Sequence, residues 1–338
     1  MTTTHHTVRV LVAQVEGSAP REAGAVMRVA AENLTGTIGG GALEHAAVAT
    51  ARGLLARDDQ GPWYSELRTY PLGPALGQCC GGMVRLLFEV ENRCPHEGEN
   101  DGSALSSGHG LIVRQMSSGV PSVSVHDRTH AANWPLPVVR AVRQMLAGER
   151  PRQTLLIAGG KGVPAFIIEP LARPPHQLFL YGAGHVGRAV VRVLLDLPFA
   201  ITWVDTDTDR FPAEVPTHAK PLIATDPAAV AATAPPDALH LIMTFSHALD
   251  LAIAAAVLAR PHAWAGLIGS ATKRARFEKR LREAGVAEAA ISGLNCPIGF
   301  GAITGKEPAM IAVSVAAQLA VFASAERAVA TDSANAQA

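Results

Sequence analysis

Apolar and polar residues alternate near the start of the chain, where Val8, Val10 and Val12 fall on one side of an extended segment that runs into the turn Glu16-Gly17-Ser18-Ala19-Pro20-Arg21. A period of two predicts a strand with one buried face, ending in a loop with Arg21 at its tip. A hairpin follows, with Ala25 to Val29 as one arm, Ala31-Glu32-Asn33 as the turn and Thr35 to Ile38 as the return. Gly39-Gly40-Gly41 then opens a predicted helix from Ala42 to Leu55, and Met83 to Val90 reads as a further strand. Residues 92–108 are rich in Gly, Ser, Pro, Asn and His without apolar periodicity, which predicts a long surface loop. Beyond it lie the short apolar runs Leu111 to Arg114, Ser122 to Val125 and Thr154 to Ala158, and helical spacing over Pro137 to Leu146. These elements predict an α+β domain over residues 1–170.

The stiff, turn-forming stretch Pro170-Leu171-Ala172-Arg173-Pro174-Pro175 marks a boundary, with a linker over 171–176. A second domain over 177–325 opens with the strand Leu178 to Tyr181, continues at once into Gly182-Ala183-Gly184-His185-Val186-Gly187, and enters a helix over Arg188 to Leu195. In that context GxGxxG predicts a Rossmann turn: Gly182 for the bend, Gly184 for close approach of a pyrophosphate, Gly187 for packing of helix on strand. A second strand, Ala200 to Val204, ends at Asp205, 18 residues past Gly187, where a carboxylate can meet a ribose 2′-hydroxyl and favour NAD(H) over its phosphorylated form. Alternating strands and helices from Lys220 to Ala284 complete a doubly wound parallel sheet. The fold class is therefore α/β, an N-terminal α+β domain followed by a C-terminal Rossmann-like domain. Ile311 to Ala323 is too short to span a bilayer and contains Ser314 and Gln318, so it reads as a buried helix. The Ala- and Ser-rich tail, 326–338, is expected to be disordered.

Composition narrows the range of partners. Over 338 residues, 29 basic side chains balance 29 acidic ones, so no net positive field draws nucleic acid or an anionic membrane surface. The four cysteines, Cys79, Cys80, Cys94 and Cys296, form neither a secreted disulfide framework nor a CxxC pair, and Met1 to His6 lacks an apolar signal core. The expectation is a reduced, cytoplasmic protein.

Chemistry is concentrated in few places. Leu76-Gly77-Gln78-Cys79-Cys80-Gly81-Gly82 sets two adjacent thiols among glycines, and neighbouring cysteines cannot close an ordinary disulfide. They are either reactive loop thiols or small core residues; the flanking glycines favour the loop, with Gln78 placed to hydrogen-bond a ligand. Arg21 can grip a phosphate or carboxylate through two parallel hydrogen bonds, or stand as a solvated surface residue. The Gly39-Gly40-Gly41 turn places backbone N–H groups and the positive end of a helix together, a place that suits an anion, while Glu44 in the first turn suits the helix dipole. In the second domain Thr244 to Asp250 ends a strand on the ligand side of the sheet, with His247 either an acid/base or a structural hydrogen-bonding residue. Most charges of the helix Lys273 to Arg282 read as a solvated face, and Cys296 reads as a turn residue more exposed than a core cysteine.

The motifs LGQCCGG, Gly17-Ser18-Ala19-Pro20-Arg21 and Gly36-Thr37-Ile38-Gly39-Gly40-Gly41, in their order, resemble the XdhC/CoxI family of molybdenum-hydroxylase maturation factors. The resemblance implies a homodimeric carrier that binds molybdenum cofactor (molybdopterin), presents it for sulfuration by a cysteine desulfurase, and passes it to the molybdenum-binding subunit of xanthine dehydrogenase. It implies cofactor contacts from Gln78, Cys79, Cys80, Arg21, Gly39, Gly40 and Gly41, with Cys79 or Cys80 near molybdenum. Such proteins commonly carry His where this chain has Phe245, so chemistry that needs two histidines there is not expected. The rival expectation is an NAD-dependent oxidoreductase working at the Rossmann crevice with His247.

Overall fold

The computed structural model describes residues 7–57, 64–73, 81–90, 110–116, 123–125, 134–160, 164–171 and 175–332. The chain divides into two compact units, Met1–Pro174 with Val329–Ala338, and Pro175–Ala328. The motif residues Gln78, Cys79 and Cys80, the predicted loop 92–108 and Cys94 lie outside the described residues.

The first unit is built from two antiparallel sheets. In one, strands β1 (Val8–Glu16), β2 (Val26–Val29), β3 (Leu34–Gly36), β4 (Ser65–Pro71) and β5 (Met83–Val90) lie in the order β3-β2-β1-β5-β4. Val8, Val10 and Val12 of β1, with Leu86 and Phe88 of β5, pack on Leu43, Ala47, Ala51 and Leu54 of helix α1 (Gly41–Leu55). Those helix positions recur at helical spacing, so one stripe of α1 covers this face. A register shift between Val12 and Gln14 reverses the parity of β1, and Val15 rather than Gln14 reaches the α1 side. The second sheet has the order β7-β6-β9-β8, from β6 (Leu111–Gln115), β7 (Val123–Val125), β8 (Leu155–Ile157) and β9 (Phe166–Pro170). Its outer face, Leu111, Val113, Phe166 and Ile168, packs on Val138, Ala141, Val142 and Met145 of helix α2 (Leu136–Ala147). Its inner face meets the first sheet through Leu11, Ala13, Leu87 and Ile167. The layers are therefore helix, sheet, sheet, helix.

Charges also lie between the sheets. Arg9 of β1 bonds Glu89 of β5 at 2.7 Å and Glu169 of β9, while Arg114 of β6 bonds the same two acids at 2.7 and 2.6 Å. Each carboxylate accepts from both guanidinium groups, so the four close a neutral ring, and Glu89 is 1% exposed. Burial opposes the Arg9 charge, but Glu169 and Glu89 more than offset it and hold its pKa above the ordinary arginine value.

The second unit is a parallel sheet in the order β12-β11-β10-β13-β14, from β10 (His176–Tyr181), β11 (Phe199–Asp205), β12 (Ala219–Ile223), β13 (Leu239–Ile242) and β14 (Trp264–Leu267). The order reverses at β10, as a doubly wound sheet requires. Leu178, Leu180, Ile201, Trp203, Leu239 and Leu241 point to one face, under α3 (His185–Val193) and α8 (Pro308–Asp332). Tyr181, Val204, Ile242, Ala265 and Leu267 point to the other, under α4 (Pro227–Thr233), α5 (His247–Leu258), α6 (Ala271–Glu283) and α7 (Glu288–Ser292). Both faces are buried, which is why these strands read as continuous apolar runs. The two polar residues of the apolar α8 run have defined tasks: Ser314 Oγ and Gln318 Oε1 accept from the backbone N–H of Phe300 and Gly299 at 2.7 Å each, docking the preceding loop. The helix continues to Asp332, past the expected end of order at Ala325, because the alanines that make this tail low in information also have the highest helix propensity. Among the described residues no helix is long and apolar enough to cross a membrane.

Two stability outcomes follow from these buried groups. Arg114→Met leaves Glu89 and Glu169 short of a partner inside the sandwich and should cost about 3–5 kcal/mol; urea unfolding, with hydrogen exchange at β6 and β9 to locate the loss, measures it. His240, 2% exposed and bonded through Nδ1 to the Tyr181 hydroxyl at 3.1 Å, has its pKa pushed down to about 4 by burial and by neighbouring His262 and Arg260. The unfolded chain takes up this proton near pH 6.5 and the folded chain only near pH 4, so folding stability should fall by about 3 kcal/mol as pH drops through that window. Thermal melts of His240→Asn, which keeps a polar atom near Tyr181, should show a flatter dependence over the same range.

Candidate functional site

The Gly17–Arg21 loop, the Gly39 turn and the Gly81-Gly82 end of the third motif, separated in sequence, come together at one end of the strands of the first sheet. Gly39, with φ of 119°, lies so close to the Gly17–Arg21 loop that a Cβ there would sit 2.3 Å from Pro20 Cβ and 3.3 Å from Arg21 Cγ. Gly82, at the entry to β5, is pressed on the same loop from another side: a Cβ on it would lie 2.2 Å from the Ser18 carbonyl oxygen and 2.7 Å from that of Glu16. Gly82 packs on backbone and Gly39 on the Pro20 side chain, approaches that only glycine permits. The described residues resume at Gly81, the residue that the chain joins directly to Cys80. Arg21 is half-buried here, its side chain 40% accessible, and its ion pair among the described residues is a long 3.5 Å contact to the exposed Glu22.

The Gly39-Gly40-Gly41 turn has an internal anion. Glu44, one turn into α1, reaches back so that Oε2 accepts from the backbone N–H of Ile38 at 3.0 Å and of Gly40 at 3.1 Å, and from Thr37 Oγ1 at 2.5 Å. Gly39 N–H donates to Thr37 Oγ1 at 3.1 Å. Partial burial raises the carboxyl pKa, but the hydrogen bonds from Thr37, Gly40, Ile38 and Gly39 outweigh it and leave it below the ordinary value. Glu44 thus does more than complement the helix dipole, since it closes the loop that precedes its own helix. A carboxylate three residues past a glycine turn is the available sequence signal, akin to the reciprocal half of a capping box.

In the second unit the fingerprint glycines divide by role. A Cβ on Gly182 would lie 2.4 Å from the Met243 carbonyl oxygen, and one on Gly187 2.1 Å from that of Gly182, so both positions are dictated by packing. On Gly184 it would meet nothing within 4 Å, and α3 begins there with no side-chain cap and no acid in its first turn. Asp205 ends β11 nearly buried, with Oδ2 accepting from Ala183 N–H at 2.6 Å and Oδ1 from Thr206 N–H at 2.7 Å. His247 is the exposed first residue of α5, its ring edge-on to Phe277 at 6.5 Å.

The polar centre of the carboxyl edge is elsewhere. Asp250, fully buried, accepts from Thr244 N–H at 2.9 Å and Thr244 Oγ1 at 2.7 Å through Oδ1, and pairs through Oδ2 with Lys273 Nζ at 2.7 Å. Lys273 also donates to the Ile268 carbonyl at 2.8 Å. Lys273 is thus an exception among the mostly solvated charges of its helix; its ammonium fastens α6 to α5 and to the end of β14. Cys296 is 3% exposed, contrary to the expectation of an open turn, because the bridge between Gly266 and Asn295 seats this segment beside β14 and bare Gly269 leaves room for the sulfur. Burial pushes its thiol pKa up, against the opposing pull of Lys273 and Arg274. Among the described residues no three His, Cys, Asp or Glu side chains come together as a metal site.

Comparison with known proteins joins these two descriptions. Residues 2–70 match the XdhC and CoxI family, and residues 178–319 match the XdhC Rossmann domain. The chain belongs to the XdhC and CoxI family. A crystal structure of a Bacillus halodurans protein described as a xanthine dehydrogenase superposes with a TM-score of 0.69 at 20% identity, covering 96% of this chain and 93% of that one, a likeness of fold. The uncharacterized protein YqeB of Escherichia coli K12 is 34% identical over 166 residues, 47% of this chain and 29% of YqeB, so the match spans less than a third of that relative. In this XdhC-family chain the N-terminal match covers the Gly17–Arg21 and Gly36–Gly41 motifs.

The Glu44 contacts yield a measurable cost. Glu44→Ala should lower stability by about 1–2 kcal/mol, the usual range for losing a capping carboxylate, and the loss should shrink as pH falls below the ordinary carboxylate range, because a group with a depressed pKa stabilises only while ionised. Denaturant melts at neutral pH and at about pH 3 give the comparison.

Proposed function

We propose that this XdhC-family chain is a cytoplasmic, homodimeric carrier of molybdenum cofactor that presents it for sulfuration by a cysteine desulfurase and inserts it into the molybdenum-binding subunit of xanthine dehydrogenase. Family membership supports the reading, and the observation that carries it is the meeting of the Gly17–Arg21, Thr37–Gly41 and Gly81–Gly82 segments. The residues present suit a phosphate-bearing ligand: a Cβ on Gly40 or Gly81 would meet nothing within 4 Å, so a ligand can approach the backbone there, and Arg21 offers a guanidinium at the same end of the strands. Glu44 sets a condition, since its carboxylate already takes the N–H groups of Ile38 and Gly40. Arg21 and the Gly39-Gly40-Gly41 turn, whose backbone is open at Gly40, are in this reading the phosphate side of the site. Gln78, Cys79 and Cys80 are its sulfur side, and thiolate is a soft ligand suited to molybdenum. The cofactor, when bound, supplies the metal whose sulfur ligand the recipient enzyme requires.

The rival, an NAD-dependent oxidoreductase with His247 as acid/base, has less support. The His247 ring lies against Phe277, and the Asp205 carboxylate is engaged by the protein's own backbone.

Cofactor loading followed by activation of apo xanthine dehydrogenase tests the proposal. Cys79→Ser should melt near the parent protein and yet transfer molybdenum at least about tenfold less well, as expected for loss of a thiolate ligand. Arg21→Ala, at a half-buried loop position, should keep the fold and bind the cofactor weaker by about 1–3 kcal/mol. Normal transfer by Cys79→Ser and Cys80→Ser, with unchanged loading of Arg21→Ala, would overturn it.

A further inference from the structure

The fold implies a dinucleotide at the second unit's crevice, and the residues there fit only half of one. In a sheet of this strand order the pyrophosphate belongs at the N-terminus of the first helix and the adenosine beside the acid that ends the second strand. The phosphate half is open, with clear space over Gly184 and an uncapped α3. The adenosine half holds protein. Arg210 Nε lies 3.3 Å from Asp205 Oδ1, and the Arg210 guanidinium carbon stands 3.8 Å over the ring of Phe245, which is 63% exposed. With Oδ2 bonded to Ala183 N–H and Oδ1 to Thr206 N–H and Arg210, the carboxylate expected to receive ribose hydroxyls is already satisfied. The flat guanidinium on Phe245 lies where a flat base would stack.

Arg210 is also held on the scaffold that carries the glycine loop. Arg188 Nη2 donates to the Arg210 carbonyl at 2.6 Å while its Nε donates to the Ala183 carbonyl at 3.0 Å. The next residue, Phe211, packs edge-on against Trp203, whose Nε1 donates to the Gly182 carbonyl at 3.0 Å. The short turn Thr208–Arg210 that presents the side chain is capped by Asp207. An arginine merely passing over the crevice would not need these supports.

We propose that Arg210, stacked on Phe245 and paired with Asp205, is an internal occupant of the adenosine half of the crevice and excludes NAD(H) and other adenine dinucleotides from it. The inference is independent of the molybdenum cofactor reading. It makes the crevice a self-filled site, opened only when the guanidinium leaves Phe245.

Calorimetric titration of the full chain with NAD⁺ and with ADP-ribose gives the test, since removal of an occupant raises affinity whereas removal of a ligand contact lowers it. Arg210→Ala should bind ADP-ribose at least about tenfold more tightly than the parent protein, equivalent to about 1.4 kcal/mol. Phe245→Ala, which removes the stack and leaves the guanidinium free to move, should give a smaller gain in the same direction and decides the matter if Arg210→Ala does not fold. Equal or weaker binding by the folded variant, including no binding by either protein, would overturn the proposal.

Discussion

Between the two sheets of the first unit, two arginines and two glutamates stand where a β-sandwich would ordinarily bury only aliphatic side chains. The ring of Arg9, Glu89, Arg114 and Glu169 is neutral, and each member contacts both of its opposites. Desolvating four charges is costly, and the cost is offset only while all four remain in register. A slip of one residue in β1, β5, β6 or β9 would turn its charged member outward and leave the others unpaired, because successive side chains alternate faces. The ring thus ties the register within each sheet to the position of one sheet on the other.

That constraint bears on the candidate site through geometry. β1 carries Arg9 at one end and delivers the Gly17–Arg21 loop at the other; β5 carries Glu89 at one end and begins from Gly81-Gly82. Backbone contacts of 2.2 to 2.7 Å for an added Cβ leave no tolerance for sliding between those strands. The charged ring and the glycine junction fix opposite ends of the same pair of strands. Glu44 then settles the third segment by bonding the amide groups before α1.

The sequence pattern conveys this architecture unevenly, for physical reasons. The second unit was legible because its strands are buried on both faces and its turns carry glycines that packing demands. In the first unit, period-two alternation groups Val8, Val10 and Val12 on one face, which α1 covers, but says nothing of the opposite face, where Arg9, Glu89 and Arg114 are buried between the sheets. Alternation reports which residues share a face and not what covers that face. Lys273 was hidden similarly: in a helix of many charges, nothing local distinguishes the one whose ammonium reaches the buried Asp250. Arg21 and the glycines stand out in the sequence because a run of glycines before a helix, near a loop guanidinium, suits close approach by an anion. Glu44 was seen but given the weaker role, since its bonds run backward into a loop whose shape the sequence does not specify.

The fingerprint GxGxxG shows how motif and ligand separate. Gly182 and Gly187 are required whether or not anything binds, because their missing side chains make room for the Met243 and Gly182 carbonyls. Two of three signature positions thus encode the strand-to-helix turn alone. Only Gly184 faces open space, and it speaks to the phosphate half. What occupies the adenosine half is set by Asp205, Arg210 and Phe245, which lie at the ends of two strands and in a short turn between them, outside any spacing rule. A chain can keep the turn, and with it the parallel sheet, while refilling the crevice from within. The strength of the motif as a mark of fold is therefore separate from its strength as a mark of cofactor.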